Sequence, residues 1–546
     1  MFTRISAAFA VFCLAFALPP ASFGGPTTVL VFPFDNQTDD RNIDWIGTGL
    51  SELVTERLSA EHDLYVFNRE ERSAAYERMG IPETTSVSRA TAISLAWDSG
   101  ADTIVIGKIF GTRQEFHIEA RILRLKDTSS GENIVVNGDL QNVIPLTASL
   151  SFRLARQLVP WSAIPESDYI AHPPVPSSAF EAYTRGLIAT DSARRISLFQ
   201  DAIRLHPKYD AAIFQLGRQY YLDMDFKSSS PLLEKIPPES PDFNQAQFML
   251  GLSYYNTGEF NKSVSIFSAL PRVYDVLINL GMALSGRDDF AGAMSAWKQA
   301  RAVDPYGTEA PFNMAHLGLT KGERTDAEAA AVSIEQFFKL HGRDAEALFL
   351  RGRIAERLGR PEDAQRQIAA AVNQSPRLSR WVNRTLPNFR RLRAKPDVTA
   401  IRISPQTSIW NEERLARRST GRDIAAWLDR VQDMIDSERF GDALRQLQDI
   451  ALTFPRSAET RLMFAEVYEQ QKETELAVAE YRKALAIRPS ADTWVLLARL
   501  FRSVNQAASE RQAIDEALKL EPTNVAAANR KAELDGLRIP GRRRIP

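Results

Sequence analysis

The chain has 546 residues, 44% of them hydrophobic and 25% charged, which is too long for one core and typical of a folded globular protein. Its 67 Lys and Arg nearly balance its 68 Asp and Glu, so no global field draws it to nucleic acid or acidic lipid. The single cysteine, Cys13, falls in an apolar N-terminal run; a chain processed past that run has no disulfide, thiolate metal ligand or cysteine nucleophile.

Met1-Phe2-Thr3-Arg4 carries one positive charge, Ile5 to Leu18 is small or apolar throughout, and Pro19-Pro20 end the run before Ala21-Ser22-Phe23-Gly24-Gly25. A basic start, a short apolar stretch and a small-residue end predict a secretory signal peptide over residues 1–24, cleaved after Gly24; an uncleaved anchor is the alternative. The stretch is shorter than the roughly 20 residues a membrane helix needs. Phe12 precedes Cys13 where a lipoprotein signal requires a small residue. The expected location is periplasmic or secreted, with outer-membrane association as a further option.

Residues 27–158 predict a small mixed α/β domain. Thr27 to Phe34 is a short β-branched, apolar run, a buried strand, and Asp35 to Asp40 is a polar turn. Ile43, Ile46, Leu50, Leu53, Val54 and Leu58 then recur at helical spacing. Asp63 to Phe67 reads as a strand, Ala90 to Ser99 as a helix stopped by Gly100, and Thr103 to Ile109 as a second buried strand. Phe116 to Leu125 alternates, Asp127 to Glu132 turns, Asn133 to Gly138 returns, and Leu146 to Leu158 is a final amphipathic helix. Gly107-Lys108 is no phosphate loop, because position 102 is Asp and position 109 is Ile.

These residues resemble the TolB-like amino-terminal domain, related to the CsgG and FlgO type of bacterial envelope protein. The likeness rests on Val29-Leu30-Val31-Phe32-Pro33-Phe34-Asp35-Asn36, the Gly49-Leu50 helix, Ala101 to Gly107 and the hairpin Leu123 to Glu132. It implies an envelope domain that contacts proteins and brings no catalytic centre. The propeller of TolB itself is absent, so its role does not transfer.

Val159 to Ser178 holds Pro160, Pro165, Pro173, Pro174 and Pro176 and predicts an extended tether over 159–178. Beyond it the chain repeats. Leu250-Gly251, Tyr254, Gly258, Phe260, Ser263 and Phe267 return as Leu280-Gly281, Leu284, Phe290, Ala293 and Trp297, and again as Phe464-Ala465, Tyr468, Ala477 and Tyr481. Pro455 to Pro489 is 34 residues and Pro489 to Pro522 is 33, the tetratricopeptide period. Paired helices of this kind bury their apolar faces only against neighbouring pairs, small residues let the axes approach, and the proline resets the chain.

The predicted architecture is therefore α+β and multidomain, a small N-terminal α/β domain followed by an all-α tetratricopeptide-repeat solenoid of about nine units. The repeats occupy 179–376 and 423–522. Residues 377–422 form an insertion that either lies across the solenoid or hinges its two halves, with β-prone Thr399 to Ile403. A capping helix and a basic tail, Gly541-Arg542-Arg543-Arg544, fill 523–546.

Tetratricopeptide solenoids curl, and their first helices make the inner wall. That places Phe214, Phe248, Phe312 and Phe349 at equivalent inward positions, Arg218, Leu252, Met282, His316 and Arg353 in a second row, and Asn279 with Asn313 in a third. An aromatic ladder flanked by Arg and Asn suits an extended peptide or an amphipathic helix; packing between helices explains the phenylalanines equally. Asn279 and Asn313 resemble family positions that hold a ligand backbone or carboxylate. Arg390-Arg391-Leu392-Arg393-Ala394-Lys395 and Arg414 to Arg422 read as a solvated basic face or tether, or as a surface for an anionic partner.

No catalytic, cofactor or metal site is expected. His62, His117, His172, His206, His316 and His341 lie too far apart in sequence for a local metal pair, and no nucleophile elbow or dinucleotide loop occurs. The reading is an exported, non-enzymatic scaffold whose partners are other proteins or peptides of the cell envelope. No nucleic acid or small-molecule substrate is implied, and peripheral membrane association is allowed. The alternative is a structural part of an outer-membrane assembly or secretion complex, docked through the N-terminal domain.

Overall fold

The computed structural model describes residues 27–82, 87–126, 129–170, 175–321, 324–386, 388–394 and 424–535. The expected signal peptide, the β-prone piece 399–403, the basic run 414–422 and the tail lie outside the described residues.

The N-terminal domain is a mixed sheet in the order β3-β1-β4-β5-β6, with short β2 (Asp35–Asn36) pairing to β4. β1 (Thr27–Val31) lies parallel to β3 (Leu64–Val66) and to β4 (Thr103–Gly111); β5 (Phe116–Arg124) and β6 (Ile134–Gly138) continue antiparallel. Because strand side chains alternate, β1 feeds two cores. Val29 and Val31 meet Leu50 and Val54 of α1 (Trp45–Leu58) and Leu150 and Leu154 of α4 (Val143–Leu158). Leu30 and Phe32 meet Ala75 and Tyr76 of α2 (Arg69–Arg78) and Leu95 of α3 (Arg89–Ser99). Helix α2 has too polar a sequence to reveal itself by apolar periodicity. It starts with a capping box, Asn68 accepting from the Glu71 amide and Glu71 from the Asn68 amide, which satisfies two of the orphan donors of a helix start.

The proline-bearing stretch after α4 does not run as an extended tether in its described part. The Trp161 indole donates to Asp63 at 2.6 Å, the Tyr169 hydroxyl to Glu61 at 2.5 Å, and Arg57 Nε to the Tyr169 carbonyl at 3.2 Å. Tyr169 is 3% exposed. Tyr169, which a free spacer would leave in water, is the residue that docks it. Phe180 then seats on α1 where Gly49 has no side chain; a Cβ there would stand 2.6 Å from the ring. Consequently one apolar core runs from the sheet into the first two helical hairpins, through Phe180, Phe199 and Leu216.

Among the described residues nine hairpins follow. The first helices are Ser177–Ile188, Asp210–Leu222, Phe243–Asn256, Tyr274–Gly286, Glu309–Lys321, Ala345–Arg357, Ile424–Asp436, Ala458–Gln470 and Ala491–Ser503. Their second helices are Ser192–Leu205, Phe226–Leu233, Phe260–Ala269, Phe290–Val303, Arg324–Leu340, Pro361–Gln374, Phe440–Thr453, Thr474–Ile487 and Ala507–Leu520. Val525–Leu534 caps the end. Within a hairpin the small residue of the first helix receives a large one from the second. Phe267 lies where a Cβ on Gly251 would come within 2.8 Å, and Trp297 covers Gly281 in the same way.

The turn inside seven of the hairpins is one device. Met224, Gly258, Asp288, Gly359, Glu438, Lys472 and Asn505 are left-handed, with φ of 56–82°. The next amide reaches back to a carbonyl five residues earlier at 2.8–2.9 Å, as in Asp225 to Tyr220 and Gln506 to Phe501. That is the six-to-one closure of a helix C-terminus, for which glycine is the usual residue. Here five of the seven are not glycine, so the turns carry no glycine signature in the sequence.

Hairpins 7–9 do not continue the stack of hairpins 1–6 end to end. They lean on the loops flanking hairpin 5. The Gly342 amide donates to the Glu438 carbonyl at 2.8 Å, Arg445 pairs with Asp304 at 2.8 Å, Lys339 pairs with Glu473, and Gly441 abuts the Tyr306 carbonyl, where a Cβ would stand 2.5 Å away. Gly441→Val is expected to prise this seam open at a cost of about 1–3 kcal/mol, the usual range for overpacking. Small-angle scattering should show a larger radius of gyration with unchanged helix content; an unchanged radius would refute the seam.

Candidate protein-binding groove

The first helices of hairpins 4–6 form one wall, and the wall is covered. Asn279 and Asn313 stand one 34-residue period apart, at matching positions of consecutive first helices, and both are 0% exposed. Asn313 donates to the Arg391 carbonyl at 2.9 Å and accepts the Arg391 amide at 2.7 Å. Asn279 grips Arg393 in the same way, at 2.9 Å in both directions. A side-chain amide offers one donor and one acceptor side by side, so each asparagine satisfies a whole backbone unit and is blind to the side chain it carries. Consecutive asparagines read every second residue, as an extended strand requires.

The side chains of the same two residues are read separately. Arg393 meets Asp275 at 2.6 Å and Glu309 at 2.9 Å, 5.6 Å over the Tyr274 ring. Burial alone would lower its pKa, but the Glu309 and Asp275 carboxylates outweigh burial and hold it above the ordinary guanidinium value. Arg391 pairs with Asp344 at 2.8 Å and lies 3.8 Å over the Phe312 ring, an orientation that adds cation–π attraction. The acids sit at the starts of first helices: Asp275 and Glu309 lie in first turns, and Asp344 is an N-cap accepting the Ala347 amide at 2.8 Å. Negative charge is favoured there by the helix dipole. Tyr274 donates to Glu309 at 2.9 Å, and its hydroxyl is pushed far above its normal pKa by burial first and by Glu309 second.

The covering segment runs from hairpin 6 back toward hairpin 2. Arg353 donates to the Val382 carbonyl at 3.4 Å and the Arg384 carbonyl at 3.2 Å. Phe389 meets Phe349 edge to face at 6.1 Å and donates its amide to His316 Nε2 at 3.4 Å. Arg390 reaches Ser285; burial pushes its pKa down. Tyr221 donates to the Ala394 carbonyl at 3.0 Å, and Leu392 packs against the core of hairpins 3–5. Of the two options for the insertion, its described part thus takes the first and lies across the solenoid.

The residues singled out from sequence divide accordingly. Asn279, Asn313 and Arg353 hold the segment, while Phe312 and Phe349 touch it. Phe214 and Phe248 form no ladder; both are fully buried, Phe248 against Phe267 at 5.7 Å, because aromatic faces between helices are worth more in the core than in water. Arg218 is half-buried, with no bond to the segment among the described residues. The run from Arg390 to Ala394 is not a solvated basic face; the acids named above draw it into the groove. Asp275, Glu309 and Asp344 were not picked out from sequence, since three carboxylates in separate repeats carry no local pattern.

A second cleft, about 560 Å³, opens in the N-terminal domain between Phe32, Ser88, Arg89, Lys108, Glu119 and Arg121, with charges of both signs and no convergent set. Among the described residues no cluster of three metal-ligating side chains occurs, and no helix is long and apolar enough to cross a membrane.

Models of the tetratricopeptide repeat match residues 317–377, 428–492 and 245–274. The chain is similar to the solved structure of Pseudomonas aeruginosa pilF (15% identity over 37% of this chain and 93% of that one, TM-score 0.30). It is also similar to a tetratricopeptide repeat protein of Parabacteroides merdae (10%, 54% and 97%, 0.28) and to the Salmonella enterica LpoB C-terminal domain (15%, 22% and 87%, 0.19). No curated protein matches it. The repeats and the groove define a protein-interaction scaffold; no enzyme family is indicated.

Proposed function

We propose that the chain is an exported scaffold whose first helical array gathers envelope proteins by holding a stretch of their backbone in extended form. The observation that carries this reading is the paired grip of Asn279 and Asn313 on alternate backbone units, a grip that any extended polypeptide can satisfy. Export rests on the leader-like first 24 residues, and an envelope setting on the TolB-like pattern of residues 27–158. Docking of that domain onto a larger outer-membrane assembly fits the same arrangement, with the solenoid then serving as its receptor arm.

The test is photocrosslinking in the native host, with a photoreactive residue in place of Tyr221, which meets the Ala394 end of the described segment. Adducts with exported proteins, recovered from the envelope fraction, are the expected result. A chain that fractionates with the cytoplasm, or that yields no protein adduct from the groove, would refute the reading.

A further inference from the structure

We propose that the groove selects partner segments carrying an Arg-X-Arg pattern in extended conformation, and that Phe389–Ala394 is a built-in competitor that partners must displace. This rests on the scaffold reading above and adds to it the chemistry of the ligand and a means of control.

The binding pockets exist independently of the segment that fills them. Asp344 is fixed by its own helix start, and Glu309 by the Tyr274 hydroxyl. Phe312 is held edge to face by Phe337 at 5.5 Å. Take the segment away, and two acid-and-aromatic pockets remain, spaced for residues two apart on a strand, with an asparagine beside each. A filler that only had to close the groove would use apolar side chains, since a charge drawn out of water gains nothing unless it is fully paired. Here two arginines are spent, each matched to carboxylates and a ring. Guanidinium is planar, weakly hydrated and suited to both contacts, where an ammonium is not. The same carboxylates repel phosphate, which excludes nucleic acid and anionic lipid as occupants.

The segment competes because it is tethered. Its contacts are backbone units, the arginines and the packing of Phe389 and Leu392, all of which a second polypeptide can supply, while its own attachment keeps its local concentration high. Apparent partner affinity therefore scales with the fraction of open grooves.

The experiment uses the full chain and a fluorescent peptide of the sequence Leu386 to Lys395. The chain carrying Arg391→Ala and Arg393→Ala, whose segment has lost its anchors, should bind the peptide roughly tenfold or more tighter than the natural chain, because the tethered rival is removed. Adding Asp275→Asn and Glu309→Gln to that chain should reverse the gain. A peptide with lysine at both arginine positions should bind clearly more weakly. In the unsubstituted chain, excess peptide should accelerate hydrogen exchange at the Arg391 and Arg393 amides, a readout that needs no variant to fold. A peptide with alanine at both positions that binds equally well would overturn the arginine selection and leave the scaffold reading standing. Exchange at those amides unmoved by saturating peptide would overturn the competition.

Discussion

Trp297→Ala should cost the chain about 3–5 kcal/mol, the range for emptying a buried aromatic site. The indole is 0% exposed, lies across Gly281 and donates to the Ile278 carbonyl at 3.1 Å. No single smaller side chain fills that space, and truncation also removes the indole's buried hydrogen bond. Because each hairpin is stabilised by its neighbours, the loss should spread to hairpins 3 and 5 and loosen the wall that carries Asn279 and Asn313. Chemical denaturation of the full chain would register it as a lower midpoint. Trp161, 73% exposed, is the control: its truncation removes one surface hydrogen bond, about 1 kcal/mol. Equal effects at the two tryptophans would contradict the packing described.

The pairing of Gly281 with Trp297 also shows why the repeats were legible. Small and large residues must alternate between the helices of a hairpin at fixed offsets, and that demand recurs along the repeats, so it survives imperfect copies. The strands of the N-terminal domain were legible for a similar reason: β1 is apolar on both sides because both of its faces are covered. Helix α2 was not, because its apolar contacts are few and its visible signal was confined to Asn68 and Glu71. The hairpin turns escaped too, since Met224 and Lys472 give no hint of a left-handed backbone.

The groove was half legible. Asn279 and Asn313 recur at the repeat period, so their shared position could be counted off. Their occupant could not be identified, because Arg393 lies 118 residues from Asp275 and 84 from Glu309, and only the fold brings those charges together. A basic run viewed alone has the composition of a solvated face. The four-phenylalanine ladder erred in the opposite direction: inward positions of a first helix point either at the groove or at the next helix, and period alone does not separate the two.

Substituting both asparagines separates the clamp from the scaffold that carries it. Asn279→Ala with Asn313→Ala removes four hydrogen bonds to the Arg391 and Arg393 backbone. At roughly 0.5–1.5 kcal/mol apiece the segment loses about 2–6 kcal/mol of anchorage. A loss of even 2–4 kcal/mol should accelerate hydrogen exchange at those two amides about 30- to 1,000-fold. Alanine is the better helix former, and neither asparagine belongs to the Gly281–Trp297 contact, so the hairpins themselves should keep their exchange protection. Arg391 and Arg393 would still have their carboxylates, yet salt bridges without a fixed backbone lose the geometry that makes them favourable. Unchanged exchange at both amides would mean that the arginines alone hold the segment, and the asparagine pair would then lose its place as the element that recognises extended chain.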